Sequence, residues 1–137
     1  MKKSARLLIL LSMLFACNKE QDVLDDINGS WKIKSFSLTD NEGIRHEGNA
    51  KGELTINSSS ETYSTNITYE TTILNDSFNY SGHFKLIKNN ESLELTYIKP
   101  TTEIYTFEFK LIYASKDYLK IEYWDESYRL NTLLFSR

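Results

Sequence analysis

The sequence has one cysteine, one proline and two histidines in 137 residues. A single cysteine cannot form an internal disulfide. His46 and His83 lie far apart and have no cysteines or paired carboxylates at ligand spacing, whereas a zinc site needs three or four ligands. The motifs of serine hydrolases, phosphate-binding loops and zinc proteases do not occur. We therefore expect no metal site, no cofactor and no enzymatic activity.

Basic residues are fewer than acidic ones, 16 against 19, and the net charge is −3. Nucleic-acid binding depends on clustered lysine and arginine, so we expect no nucleic-acid partner. Paired carboxylates would permit glycoside hydrolysis. The candidates alternate with apolar residues along predicted strands, which favours solvent-facing side chains. They are Glu103, Glu108, Glu122, Asp125 and Glu126.

No apolar run approaches the roughly 20 residues that a membrane-spanning helix needs. The longest, residues 7–15, follows a start that carries Lys2, Lys3 and Arg6, and the small residue Ala16 comes after it. A basic start, a short apolar core and a small residue before cleavage predict a secretory signal over residues 1–16. The cysteine, Cys17, is the next residue.

The stretch Leu14-Phe15-Ala16-Cys17 resembles the signal of bacterial lipoproteins. The resemblance implies that Cys17 becomes the first residue of the mature protein, carries the lipid and anchors the chain in the cell envelope. The outer membrane is the expected site, on its periplasmic face or at the cell surface. A signal with an incidental cysteine and a transmembrane helix are the alternatives. Cleavage leaves 13 basic residues against 19 acidic ones, a charge of −6, so lipid rather than a basic patch would hold the protein at the membrane.

Residues 17–28 comprise the cysteine and a polar, acidic segment that we interpret as a tether. Val23, Leu24 and Ile27 could form one helical turn against the domain. The pair Lys19-Glu20 resembles a surface-export signal of some Gram-negative bacteria, and a solvated linker is the alternative interpretation.

From Gly29 onward, apolar and polar residues alternate and the segments are separated by Asn-, Asp-, Ser- and Gly-rich turns. Eight strands are predicted over 30–39, 44–57, 61–74, 78–88, 92–98, 103–113, 118–125 and 128–136, with turns that include 75–77 and 99–101. Ile73, Tyr113, Leu130 and Leu134 are assigned to the inward faces. Regular spacing favours an all-β fold, a single antiparallel up-and-down barrel, because closure of eight strands removes exposed edges.

Gly29-Ser30-Trp31 at the start of the first strand resembles the signature of lipocalins and the wider calycin group. The resemblance covers residues 29–137 and implies a lipocalin-like barrel. It also implies that Trp31 plugs the closed end and that a basic residue from the last strand lies across its ring. Arg137 is that residue, with Arg129 as the substitute in another register. An ordinary core tryptophan is the alternative.

Nine tyrosines and seven phenylalanines are many for a chain of this length. Inward-facing aromatic side chains either line a cavity and orient a ligand or fill the barrel, since an eight-stranded barrel has room for one small ligand or none. The candidate lining residues are Tyr63, Ile67, Tyr69, Tyr80, Phe84, Tyr97, Tyr105, Phe107, Phe109 and Tyr123.

The sequence therefore predicts a monomeric, membrane-anchored lipoprotein that binds a small apolar or amphiphilic ligand in the mouth of the barrel. The alternative is a surface-displayed interaction module with a filled barrel. Such a module would contact a protein or a glycan through polar loops, for which residues 40–52 and 57–62 are the candidates.

Overall fold

The computed structural model describes residues 19–98 and 102–137. The predicted signal, Cys17 and the predicted turn at 99–101 lie outside the described residues. The described part contains helix α1 (residues 19–27) and nine strand segments. The strands are β1 Gly29–Thr39, β2 Arg45–Asn57, β3 Thr62–Glu70, β4 Asn75–Phe78, β5 Ser81–Ile87, β6 Ser92–Ile98, β7 Ile104–Ala114, β8 Tyr118–Trp124 and β9 Leu130–Ser136. No helix among these residues is both long and apolar enough to cross a bilayer.

The strands form one antiparallel sheet that closes on itself. Consecutive strands pair with each other, except that β4 and β5 both pair with β3, and β1 pairs with both β2 and β9. The β2–β3 pairing completes the circuit. Closure leaves no long strand edge with unpaired backbone groups. An antiparallel meander therefore gains by closing into a barrel. The predicted eight-stranded up-and-down barrel is confirmed.

Nine segments make eight strands because β4 and β5 are two halves of one bent strand. Both pair with β3, through Ile67↔Phe78 and Tyr63↔Gly82. Thr65 occupies the break: its Oγ1 donates to Phe78 O at 2.7 Å, and Tyr80 N donates to Thr65 Oγ1 at 3.0 Å. A side-chain hydroxyl thus replaces a ladder bond at the bend.

The predicted strand over 61–74 and the turn at 75–77 are displaced in the structure. Strand β3 ends at Glu70, the turn is 71–74, and Asn75 already begins β4. Thr71 Oγ1 accepts hydrogen bonds from the N–H groups of Ile73 and Leu74, at 3.2 and 3.0 Å. This local bonding ends the strand, so Ile73 is exposed rather than inward.

The core confirms most of the inward positions, with corrections in β7 and β9. Tyr113 is exposed because the β7–β8 register shifts between Leu111 and Tyr113. In β9 the buried residues are Asn131, Leu133 and Phe135, so the inward assignment of Leu130 and Leu134 was wrong by one residue. Asn131 is the cause, since a polar residue at an inward position hides the alternation.

Helix α1 covers one end of the barrel. Ile27 is completely buried in the main core, and Val23 and Leu24 pack against it. The predicted contact of these three residues with the domain is thus present, and the helix that carries them is longer than the single turn that was predicted. Residues 19–22 of the helix are exposed, so only its second half packs on the barrel, and the packed unit begins before Gly29.

Candidate functional site at the barrel mouth

The end of the barrel beneath α1 is closed by Trp31. Its side chain is fully buried, and its Nε1 donates to Ile27 O at 2.7 Å. Arg137 Cζ lies 4.5 Å from the centroid of the Trp31 ring, the contact that the lipocalin resemblance implies. Arg137 Nη2 also donates to Asp26 O and Asn28 O, at 2.9 and 2.7 Å. Arg129, the substitute, lies at the opposite end.

The middle of the barrel is filled. The void among its inward side chains measures only about 20 Å³, close to the space of one water molecule. Ile67, Tyr69, Phe109 and Tyr123 border it, while Tyr63 and Phe84 are buried in the surrounding core. The filled-barrel alternative therefore describes the interior, and a ligand site must lie elsewhere.

The opposite end opens into a cleft of about 450 Å³. Its walls come from the β3–β4 hairpin, the outer half of β7 and the β8–β9 turn. The aromatic lining residues are Tyr69, Phe78, Tyr80, Tyr105, Phe107, Tyr123 and Trp124. Most of them are half-buried, and Trp124 is 67% exposed. The mouth thus presents accessible aromatic surface in a concave setting, above a packed core.

A stack of rings forms one wall of this mouth. Tyr80 and Tyr97 lie with ring centroids 4.1 Å apart and planes 25° from parallel. Phe107 continues the stack at 5.7 Å and 8° from Tyr97, and Tyr105 lies 5.3 Å from Tyr97 at 18°. Phe78 meets Phe107 edge-on at 5.6 Å. Such contacts between aromatic rings stabilise the wall by more than the burial of the rings alone.

A polar cluster lies on the β8–β9 side of the mouth. Asp125 Oδ2 accepts from Arg129 Nε at 2.8 Å and from Asn131 Nδ2 at 3.3 Å, and Asp125 Oδ1 accepts from the backbone of Ser127 and Arg129. Burial alone would raise the pKa of Asp125, but these hydrogen bonds outweigh it and hold that pKa below its usual range. Asp125 is therefore a structural anion of the turn.

Two tyrosines meet below this cluster. The hydroxyl groups of Tyr69 and Tyr123 lie 3.2 Å apart. Burial is the main reason that the pKa of each is raised, and the negative charges of Asp76 and Asp125 add to the shift. Both phenols stay neutral at physiological pH and mark where the mouth meets the core.

Strands β7 and β8 separate toward the open end. Their hydrogen-bonded pairing begins only at Lys110↔Glu122. Phe107 of β7 and Tyr123 of β8 therefore have no backbone pairing partner on the other strand. The gap forms an outer cleft of about 680 Å³ whose lining includes Lys88, Glu108 and Glu122 as well as the two aromatic residues. Phe107, Tyr123 and Trp124 border both clefts, and the mouth is therefore open at the side as well as at the top.

Of the ten predicted lining residues, five line the mouth: Tyr69, Tyr80, Tyr105, Phe107 and Tyr123. Tyr97 supports them from the ring stack. Phe78, Leu74 and Trp124 were missed because a bend, a turn and a strand end remove them from the alternating pattern. The rim charges Asp76 and Arg129 were missed as well, since they occupy positions that a sequence alone assigns to solvent.

The two histidines are not part of this cleft. His46 Nε2 lies 2.9 Å from Asp40 Oδ2, and its Nδ1 lies 3.3 Å from Thr72 Oγ1, which connects two loops at the open end. Within the described ranges no three side chains of the metal-binding types come together as a possible metal site.

The described topology is that of a closed, eight-stranded up-and-down barrel, an architecture that lipocalins also have. The structure is similar to a redesigned β-barrel, mFAP1, bound to DFHBI. The TM-score is 0.50 and the identity 13%, over 85% of this chain and 99% of that one. It is also similar to a fluorescence-activating β-barrel designed de novo (TM-score 0.49, 12% identity, 85% of this chain and 97% of that one).

As-p18, an extracellular fatty acid binding protein, matches with a TM-score of 0.40 and 14% identity, over 82% of this chain and 96% of that one. No protein-family model and no curated protein matches the sequence. At these identities the structural likeness extends to the fold alone.

Proposed function

We propose that the protein is a lipid-anchored binding barrel that takes a small apolar or amphiphilic molecule into its open mouth. The observation that carries the proposal is the cleft of about 450 Å³ walled by half-buried aromatic rings. Ligand pockets usually measure about 300–1,000 Å³ and combine an apolar lining with a few polar groups. The cleft has that size, and its aromatic wall faces a polar side that includes Asp76, Asp125, Glu126 and Arg129.

The filled core supports a site at the mouth rather than in the interior. A void of about 20 Å³ has no room for an organic molecule, and enlarging it would break the packing of Ile67 and Phe109. In the mouth, by contrast, the aromatic side chains are already partly exposed. A barrel of similar fold, mFAP1, is bound to the small molecule DFHBI, so the architecture is compatible with ligand binding.

Binding to the mouth can be tested with a neutral apolar probe, N-phenyl-1-naphthylamine, whose fluorescence rises in an apolar site. Tyr105→Ala removes one aromatic wall of the cleft, and we expect the probe affinity to fall about three- to tenfold, as for the loss of one aromatic contact. Tyr113→Ala is the matched control, because Tyr113 lies on the same strand but is exposed at the other end.

Unchanged affinity in Tyr105→Ala, or an equal loss in both variants, would count against a site in the mouth. Circular dichroism of both variants verifies that each remains folded. Binding also predicts a change in the fluorescence of Trp124, the exposed tryptophan at the rim, and Trp124→Phe should abolish that change.

We also propose that Cys17 carries the lipid and holds the protein in the outer membrane, as a binding protein rather than an enzyme. The support is the signal-like sequence before Cys17. Cys17→Ser should move the protein from the membrane fraction to the soluble fraction and prevent incorporation of labelled palmitate. Retention of the variant in the membrane would contradict the assignment. Protease treatment of intact cells then distinguishes the cell surface from the periplasmic face.

A second candidate function, an interaction module, is favoured by the rim of the mouth. Exposed apolar side chains occur on several loops there: Ile44 (52%), Ile73 (48%), Ile98 (67%), Ile104 (67%), Trp124 (67%) and Tyr128 (79%). Exposed apolar residues gathered in one region mark interaction sites. This function predicts that Tyr128→Ser weakens capture of a cell-envelope protein or glycan while leaving the affinity for the neutral probe unchanged.

A further inference from the structure

The charged side chains that line the mouth are three carboxylates and one guanidinium: Asp76, Asp125, Glu126 and Arg129. Arg129 is already used, because its Nε donates to Asp125 Oδ2 at 2.8 Å and the side chain is only 24% exposed. Asp76 and Glu126 have no ion-pair partner among the residues that the structure describes. The described lining of the mouth therefore carries a net charge of −2, three carboxylates against one guanidinium, whereas the adjoining outer cleft is balanced, with Lys88 and Lys110 against Glu108 and Glu122.

A buried amide holds the acidic turn of the mouth in place. Asn131 is completely buried, and its Nδ2 donates to Asp125 Oδ2 and to Arg129 O, two groups of the mouth lining. Because both partners are acceptors, they determine which end of the amide is nitrogen. Asn131 itself does not line the cleft, so its part is to fix the position of the Asp125 carboxylate.

The electrostatic field of these carboxylates reaches the floor of the cleft. Asp76 and Asp125 lie on opposite hairpins, yet both act on the hydroxyls of Tyr69 and Tyr123, whose pKa values are raised chiefly by burial. Aromatic faces add a second attraction, since a cation over a tyrosine or tryptophan ring gains about 0.5–2 kcal/mol. Negative rim charges and ring faces thus converge on one cleft.

We propose that the ligand of the mouth is a cationic amphiphile, with an ammonium or amidinium head and an apolar body. The inference rests on the proposed function and names its ligand class. The apolar body would lie along the ring stack of Tyr80 and Phe107, and the head would lie between Asp76 and Glu126. An anionic head such as a carboxylate would meet the three carboxylates of the lining, and the charge of Arg129 is already balanced by Asp125.

Three probes with the same C12 chain separate charge from apolarity: dodecylammonium, dodecanoate and dodecanol, titrated by calorimetry below their aggregation concentrations at pH 7. Dodecylammonium should bind at least tenfold more tightly than dodecanoate at low ionic strength, with dodecanol between them. The preference should shrink with added salt, because exposed charges are screened.

The double variant Asp76→Asn/Glu126→Gln should bring the affinities for dodecylammonium and dodecanoate to within about threefold of each other. Its control is Glu53→Gln/Asp117→Asn, which changes the net charge equally at positions outside the cleft lining. The control should keep the full preference, which separates a local effect from that of net charge.

The possible failures are distinguishable. If N-phenyl-1-naphthylamine and all three C12 probes fail to bind, the proposed function itself is wrong. If the neutral probe binds but dodecanoate equals or exceeds dodecylammonium, or dodecylammonium does not bind, binding at the mouth stands and the cationic assignment is overturned. An equal loss of preference in the two double variants also overturns it.

Discussion

At the scale of single residues, the buried tyrosines differ in whether their hydroxyl groups are satisfied. Tyr69 and Tyr123 bond to each other. The Tyr63 hydroxyl is buried and has no hydrogen-bond partner among the described residues, and burial raises the pKa of Tyr63 to about 12. A buried polar group without a partner costs about 1–3 kcal/mol, so Tyr63 contributes through its ring and opposes folding through its hydroxyl.

Tyr63→Phe should therefore stabilise the protein, by about 1 kcal/mol in the free energy of unfolding measured with urea. Tyr69→Phe is the control. It removes a hydroxyl that has a partner and leaves Tyr123 unpaired, so it should destabilise the protein by a similar amount. Destabilisation by both variants would show that the Tyr63 hydroxyl has a partner in solution.

Gly52 is a second position where one residue decides local structure. It lies in β2 with φ +121°, and a Cβ there would be 1.7 Å from Asn66 O of the paired strand. Gly52→Ala should destabilise the protein by more than the roughly 1–3 kcal/mol of an unfavourable backbone angle. Gly43→Ala is the comparison, since Gly43 also has positive φ (+81°) but open space around it. If the two variants lose the same amount of melting temperature, β2 and β3 must move apart at Gly52 and Asn66 to make room for the added Cβ.

At the scale of elements, the closed end depends on three segments that are distant in the chain. Trp31 of β1 donates to the last residue of α1, and Arg137, just after β9, bonds to carbonyls at the end of the same helix. A cation near a helix C-terminus is favourable. The helix therefore belongs to the barrel, and the apolar residues Val23, Leu24 and Ile27 are what predicted this contact within an otherwise acidic segment.

Trp31→Ala should cost about 3–5 kcal/mol of stability, the range for truncation of a large core side chain. It should also release α1, which limited proteolysis near residues 19–27 can detect. Trp31→Phe, which keeps most of the ring but removes the Nε1–H donor, should cost less. A Trp31→Ala protein that unfolds at the wild-type temperature would contradict the role of Trp31 as a plug.

At the scale of the whole molecule, the acid limit of stability depends on carboxylates that are held ionised. The hydrogen bond with His46 lowers the pKa of Asp40, and that with Lys88 lowers the pKa of Glu108. The pKa of Asp125 is lowered by the hydrogen bonds of its turn. When the folded pKa is below the unfolded one, the stabilisation is present above the unfolded value, about 4, and is lost as pH falls through the folded value.

The melting temperature should therefore vary little on this account from pH 7 to about 5 and fall below about pH 4. Asp125→Asn should lower it at pH 7 and make the acid decline shallower, since one titrating group is removed. Asp117→Asn, an exposed position in the closed-end hairpin, should keep the wild-type profile. A wild-type melting temperature that stays constant down to about pH 3 would contradict this account.

The sequence alone predicted most of the architecture but only part of the candidate site. Alternation located the eight strands, because each strand buries one face and the period of two is local. It failed at Ile73 and Leu134, where a threonine side chain and a buried asparagine override the pattern. Of the ten lining residues that it predicted, five line the mouth. It could not distinguish Tyr105, which lies in the mouth, from Phe109, which lies in the core. Both share a parity, and they differ only in depth along the barrel axis.

By itself, then, the sequence determined the strand count and the antiparallel order, since these follow from local periodicity. The Trp31–Arg137 contact was implied by the lipocalin resemblance. The tertiary structure alone decided that the interior is full, that β7 and β8 part near the mouth, and that Asp76, Asp125 and Glu126 line the mouth together with aromatic rings. Those features depend on barrel curvature and on contacts between residues tens of positions apart. No local pattern encodes such distances.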